Sequence, residues 1–103
     1  MRHLQDKVEN FCEKHNLSKS VEARFLDVVS ELGELAKEIL LNSNYGKKTI
    51  ENSERLEEEI GDTIFSLIAL SNSVDIDMEV ALDKVLKKYE SRSNNGSIGS
   101  VQT

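Results

Sequence analysis

The sequence predicts an all-α protein, a four-helix bundle-like protomer, on three observations. Proline is absent and only 5 glycines occur in 103 residues, so little in the chain breaks helices. Aromatic residues make up 5%, which leaves few of the side chains that favour strands. Apolar residues recur at three- and four-residue intervals along most of the chain, the period of an amphipathic helix.

The first helix rests on Leu4, Val8, Phe11 and Cys12 and ends near His15 and Asn16. In "NLSKS", Ser18 or Ser20 can cap a second helix that runs to about Leu41. Its apolar face is Val21, Phe25, Val28, Val29, Leu32, Leu35, Ala36 and Ile39, and "NSNYGKKT" follows as a loop. The third helix runs from about Ile50 to Ser73, acidic and one-sided at first, then apolar almost all round. "DID" at Asp75 to Asp77 breaks it, and Asp77 caps a fourth helix from Met78 to about Arg92, striped by Met78, Leu82, Val85, Leu86 and Tyr89. Residues 1–92 read as one domain, and 93–103, "SNNGSIGSVQT", as a disordered tail. A helix apolar on all sides must be covered on all sides, which a chain this small does only in part. The second and third helices are therefore expected in the interface of a homo-oligomer, at least a dimer, with Phe65 and Ile68 of the third helix facing the partner chain.

Composition narrows the function. Thirteen Lys/Arg against 19 Asp/Glu give a charge of −6, which argues against nucleic-acid binding. The longest apolar run, "IFSLIAL" from Ile64 to Leu70, is far short of the roughly 20 residues of a membrane helix. "MRHLQDKVENF" carries no signal-peptide core. A single cysteine and two histidines make neither a disulfide framework nor a zinc pattern. These features read as a soluble, cytoplasmic domain, with Cys12 a buried structural thiol, Phe25 and Tyr89 core side chains, and His3 and His15 at or near the surface.

The acids carry the chemical signal. On a wheel of about 100° per residue, Asp27, Glu31, Glu34 and Glu38 share a stripe roughly 60° wide. At i+3 and i+4 such like charges repel, and only Lys37, at the stripe's edge, gives relief. Glu59 and Asp62 repeat the i+3 pairing on the third helix, and the same face continues through Ser66, Ala69 and Ser73, like the floor of a pocket. Acid runs usually solvate a helix face, which suffices for Glu54, Glu57 and Glu58. Two facing i+3 pairs, however, are the oxygen donors a hard divalent cation such as Mg²⁺ requires. No Cys or His joins them, which disfavours zinc, and the Glu-x-x-His pairing of di-iron bundles is absent. On the fourth helix Lys84, Lys88 and Arg92 share a stripe that could hold phosphates, although Lys84 is explained as well by the helix dipole.

"SELGELAKEIL" (Ser30 to Leu40), "LEEEIGDTIFSLIALSNSVDID" (Leu56 to Asp77) and "ALDKVLKKYESR" (Ala81 to Arg92) together resemble the MazG-like nucleoside triphosphate pyrophosphohydrolases of the all-α NTP pyrophosphatase superfamily. The family pattern is E-E-x-x-E, then E-x-x-D, then Lys-x-x-x-Arg. The resemblance implies Glu31, Glu34, Glu59 and Asp62 as metal ligands and Lys88 with Arg92 as substrate-binding residues, and leaves the general base between Glu34 and Glu38. It implies hydrolysis of an NTP or dNTP to the monophosphate and pyrophosphate with Mg²⁺, or Mn²⁺ as a substitute, by a homodimer or dimer of dimers. Ser30 replaces the first acid of the first motif, outside the Glu31/Glu34 stripe, and Leu86 stands where many relatives carry Asn. A phosphoribosyl-ATP pyrophosphohydrolase would share the acidic pattern. A non-catalytic helical dimerisation module would keep the acids only for solvation.

Overall fold

The computed structural model describes residues 2–94, and these form four α-helices and no strand. They are α1 (Arg2–Lys14), α2 (Val21–Asn42), α3 (Glu54–Ser73) and α4 (Met78–Asn94). The expected tail lies outside the described residues except for Ser93 and Asn94, which continue α4. None of the described helices is long and apolar enough to cross a membrane.

Side-chain caps set the starts of the helices. Ser20 Oγ accepts the Ala23 N–H at 3.1 Å, and Ser53 Oγ accepts that of Leu56 at 3.1 Å, each satisfying an amide the first turn leaves open. Asp77 Oδ1 accepts from Glu79 and Val80 at 3.0 and 3.1 Å. Between α2 and α3, Asn44, Tyr45 and Gly46 all take positive φ (49°, 59° and 85°). Buried Ser43 holds this turn, its Oγ donating to Ile39 O at 2.8 Å and accepting from Gly46 N at 3.0 Å.

The third helix begins at Glu54, not at Ile50. The Asn42 side chain accepts the Glu51 N–H at 2.8 Å and donates to its carbonyl at 2.7 Å. That pair of hydrogen bonds diverts Glu51's backbone from the helical ladder, so the chain turns helical only after the Ser53 cap.

α2 and α3 form an antiparallel hairpin, and α1 crosses the second half of α3. There Ile68 is 2% exposed, Ser66 and Ala69 are buried, and the Phe11 and Phe65 rings meet edge-on at 6.0 Å. Cys12 is buried as expected and both histidines are exposed. The chain's own helices therefore cover Phe65 and Ile68, which were expected to face a partner. The open apolar positions of α3 are instead Ile60, Ile64 and Leu67. α1 takes the Phe65/Ile68 side because that is where Phe11 and Gln5 dock. Phe25, expected in the core, is 54% exposed, and Val29 and Leu32 beside it are also open. Among the described residues no element lies over that face.

Gln5, 1% exposed, ties α1 to the start of α4. Its amide donates to Asn72 Oδ1 at 3.0 Å and to Ile76 O at 2.8 Å, and its Oε1 accepts the Met78 N–H at 2.9 Å. Asn72 answers by donating to Gln5 O at 3.0 Å. α4 packs lightly beyond this point and buries no residue fully.

Candidate metal centre

The antiparallel pairing of α2 and α3 brings the two acid pairs face to face. Glu31, Glu59 and Asp62 each offer a carboxylate oxygen, and these oxygens lie within 4.8 Å of one another. Glu34 is exposed and stands outside this trio, yet its charge still reaches Glu59. The wheel placed Glu34 on the stripe correctly. Which member of the stripe meets α3 depends on the rotation of the two helices, which the wheel does not contain.

Glu59 is the focus of the site. Its Oε2 is buried and has no hydrogen-bond partner, a costly condition for a carboxylate oxygen. Burial pushes its carboxyl above the ordinary value of 4.5, and the charges of Asp62, Glu34, Glu31 and Glu38 push it the same way. A proton or a cation would relieve this carboxylate. Three hard oxygen donors at this spacing suit a hard divalent cation.

The remaining acids of the α2 stripe are partnered. Asp27 takes the Lys19 ammonium at 2.8 Å. Glu38 Oε1 lies 3.7 Å from Arg55 Nε, across the seam from α3. Sequence reasoning missed Arg55. The available signal was a lone cation four residues ahead of Glu59, among Glu54, Glu57 and Glu58. Lys88 and Arg92 lie on α4 and form no ion pair with the trio among the described residues; the Lys88 ammonium sits 5.7 Å from the centroid of the Tyr89 ring.

Farther along α3 the expected pocket floor exists in part. Ala69 and Ser73 line a groove of about 420 Å³ with Cys12, Leu17, Arg24 and Asn72. Arg24 is buried and donates to Leu17 O. Ala69 follows Asp62 by seven residues, about two helical turns or ~10 Å, so the groove lies about two turns beyond the trio on the same side of α3.

A helical hairpin whose two helices bring three carboxylates together defines an all-α protein with an acid-centred candidate metal centre. The chain belongs to the MazG nucleotide pyrophosphohydrolase domain family, whose pattern matches residues 19–97. It is similar to the uncharacterized protein YpjD of Bacillus subtilis (strain 168), 45% identical over 71 residues that make up 66% of this chain and 62% of YpjD. It also resembles the Gene 37 protein of Mycobacterium phage L5, 31% identical over 75 residues, 71% of this chain and 66% of that protein. The matched stretch thus spans slightly less than two thirds of either relative. The crystal structure of Bacillus subtilis YpjD, described as a candidate pyrophosphatase, superposes with a TM-score of 0.73 at 36% identity, covering 89% of this chain and 94% of that one.

Proposed function

We propose that this chain hydrolyses a nucleoside triphosphate, NTP or dNTP, to the monophosphate and pyrophosphate, dependent on a divalent cation, most simply Mg²⁺. The observation that carries this reading is the buried, unpartnered Oε2 of Glu59, in a carboxylate grouped within 4.8 Å with those of Glu31 and Asp62. These three residues would hold the cation, and Glu34 would complete the set. When bound, such a cation neutralises phosphate oxygens and lowers the pKa of water. Glu31, Glu59 and Asp62 fix where the phosphate chain lies. The groove beyond Asp62 takes the nucleoside end. Glu34 is the better candidate for the general base, because it is exposed beside the trio while Glu38 is engaged by Arg55. Lys88 and Arg92 are assigned to phosphate by the family pattern.

Self-association is part of the same proposal. The open apolar side chains of α2 (Phe25, Val29, Leu32) and of α3 (Ile60, Ile64, Leu67) support a homodimer or a dimer of dimers.

The test is a panel of NTPs and dNTPs assayed for pyrophosphate release with and without Mg²⁺, alongside Glu59→Gln. Metal-dependent release by wild type and its loss in the variant are expected. Equal activity in both would sink the assignment. Calorimetric titration with Mg²⁺ separates this reading from a solvating helix face, which should bind no better than millimolar.

A further inference from the structure

Arg55 is the cation nearest the acid trio in the helical register of α3. It precedes Glu59 by four residues, so the two share a face. Among the described residues its one ion pair is the 3.7 Å approach to Glu38, in which the Arg55 side chain is 83% exposed and Glu38 13%. The approach is long and its guanidinium lies largely in solvent, where screening weakens the pair, so neutralising the mostly buried Glu38 occupies only part of Arg55. A guanidinium carries five N–H donors. Contact with Glu38 through one edge leaves the others open to solvent at the rim of the site.

Four features follow one another along α3: the groove at Ala69, then Asp62, then Glu59, then Arg55. The span from Ala69 to Arg55 is fourteen residues, about 20 Å of helix, and its chemistry changes from a mixed groove to carboxylates to a fork-shaped cation. A ligand lying along it would place its neutral end in the groove and its outermost negative charge at Arg55. We propose that Arg55, steadied by Glu38, binds the outer phosphates of the triphosphate, the portion that leaves as pyrophosphate. This rests on the hydrolase reading above and gives the substrate a direction. Arg55 is then a phosphate-binding residue, and Glu38 a positioning residue that acts through it.

The experiment uses calorimetry with two probes on the full chain, Mg²⁺ alone and inorganic pyrophosphate in the presence of Mg²⁺, together with steady-state kinetics. Arg55→Ala should weaken pyrophosphate binding about tenfold or more, as loss of a charged hydrogen bond does. It should raise KM by a similar factor and leave Mg²⁺ affinity and the melting temperature unchanged. Arg55→Lys should recover only part of the loss, because an ammonium lacks the planar fork. Glu38→Gln should fall between Arg55→Ala and wild type in KM. If Arg55→Ala binds pyrophosphate as wild type does while Mg²⁺ binding is intact, the assignment of Arg55 is wrong and the hydrolase reading stands. If wild type binds neither probe, the hydrolase reading fails and the role of Arg55 falls with it.

Discussion

From Phe65 onward one side of α3 is covered while Leu67 stays open: Ser66, Ile68 and Ala69 are buried, and Phe65 meets Phe11 of α1. From Glu54 to Asp62 the same helix borders an open seam in which Glu59 faces Glu31 and its own neighbour Asp62. One half gains from burying apolar surface, while the other holds like charges together against their repulsion. Because α1 crosses only the covered half, it stabilises the hairpin without covering the acids. Packing at one end of the helix therefore keeps the acids at the other end in place.

The sharpest way to break this comparison is Glu59→Ala. Loss of a contact that merely supports a metal ligand lowers affinity or activity about 10–100-fold, so losing the proposed ligand itself should cost at least about a hundredfold in pyrophosphate release. Substantial residual turnover would mean the open half is only a solvated surface. Next comes Ile68→Ala in the covered half, expected to cost about 2–5 kcal/mol in urea unfolding. Mg²⁺ affinity of the molecules that remain folded should not change. A parallel fall in affinity would show that the two halves are not separable.

A smaller effect is expected for Ser53→Ala, which removes the cap of α3 at its acidic end. Thermal unfolding should register a loss of about 1 kcal/mol. A loss as large as that of Ile68→Ala would mean that the open half contributes more to stability than its exposure suggests.

The gentlest perturbation is pH. The folded-state pKa of Glu59 lies above its ordinary 4.5, so the folded protein holds this proton more tightly than the unfolded chain. The stabilisation is complete below 4.5 and is lost as pH rises through the folded value. In the metal-free protein, the melting temperature of wild type relative to Glu59→Gln should therefore fall as pH rises across that window. A rise would contradict the strain assigned to Glu59. Mg²⁺ should flatten the slope.

Much of this was legible in the sequence, and what was not has a common cause. The start of α4 followed from Asp77, and that of α2 was narrowed to Ser18 or Ser20, of which Ser20 is the cap, because a cap is a local device. The start of α3 did not, since the bond from Asn42 to Glu51 joins residues across a loop and leaves no periodic trace. The i+3 acids stood out because like charges on one stripe are unfavourable. Their sorting into a trio, an exposed Glu34 and an Arg55-paired Glu38 depends on how α2 and α3 are rotated about their axes. The all-round apolar stretch of α3 showed that something must cover it, but nothing in that pattern indicates which side α1 takes. That is why Phe65 and Ile68 were placed at a partner surface.

The contacts of Gln5 also order events in time. Its side-chain oxygen, Oε1, receives the Met78 N–H from 73 positions away, so the first turn of α4 is completed by a residue of α1. Closing so long a loop comes slowly relative to local helix formation. During synthesis α1 emerges first and has no partner for Gln5 until Asn72, Ile76 and Met78 have followed. α1 and the start of α4 then lock in one late step. Amide exchange at Met78 should accordingly track the docking of α1 rather than the local fraying of α4, and trimming the first five residues should loosen a helix that lies more than seventy residues downstream.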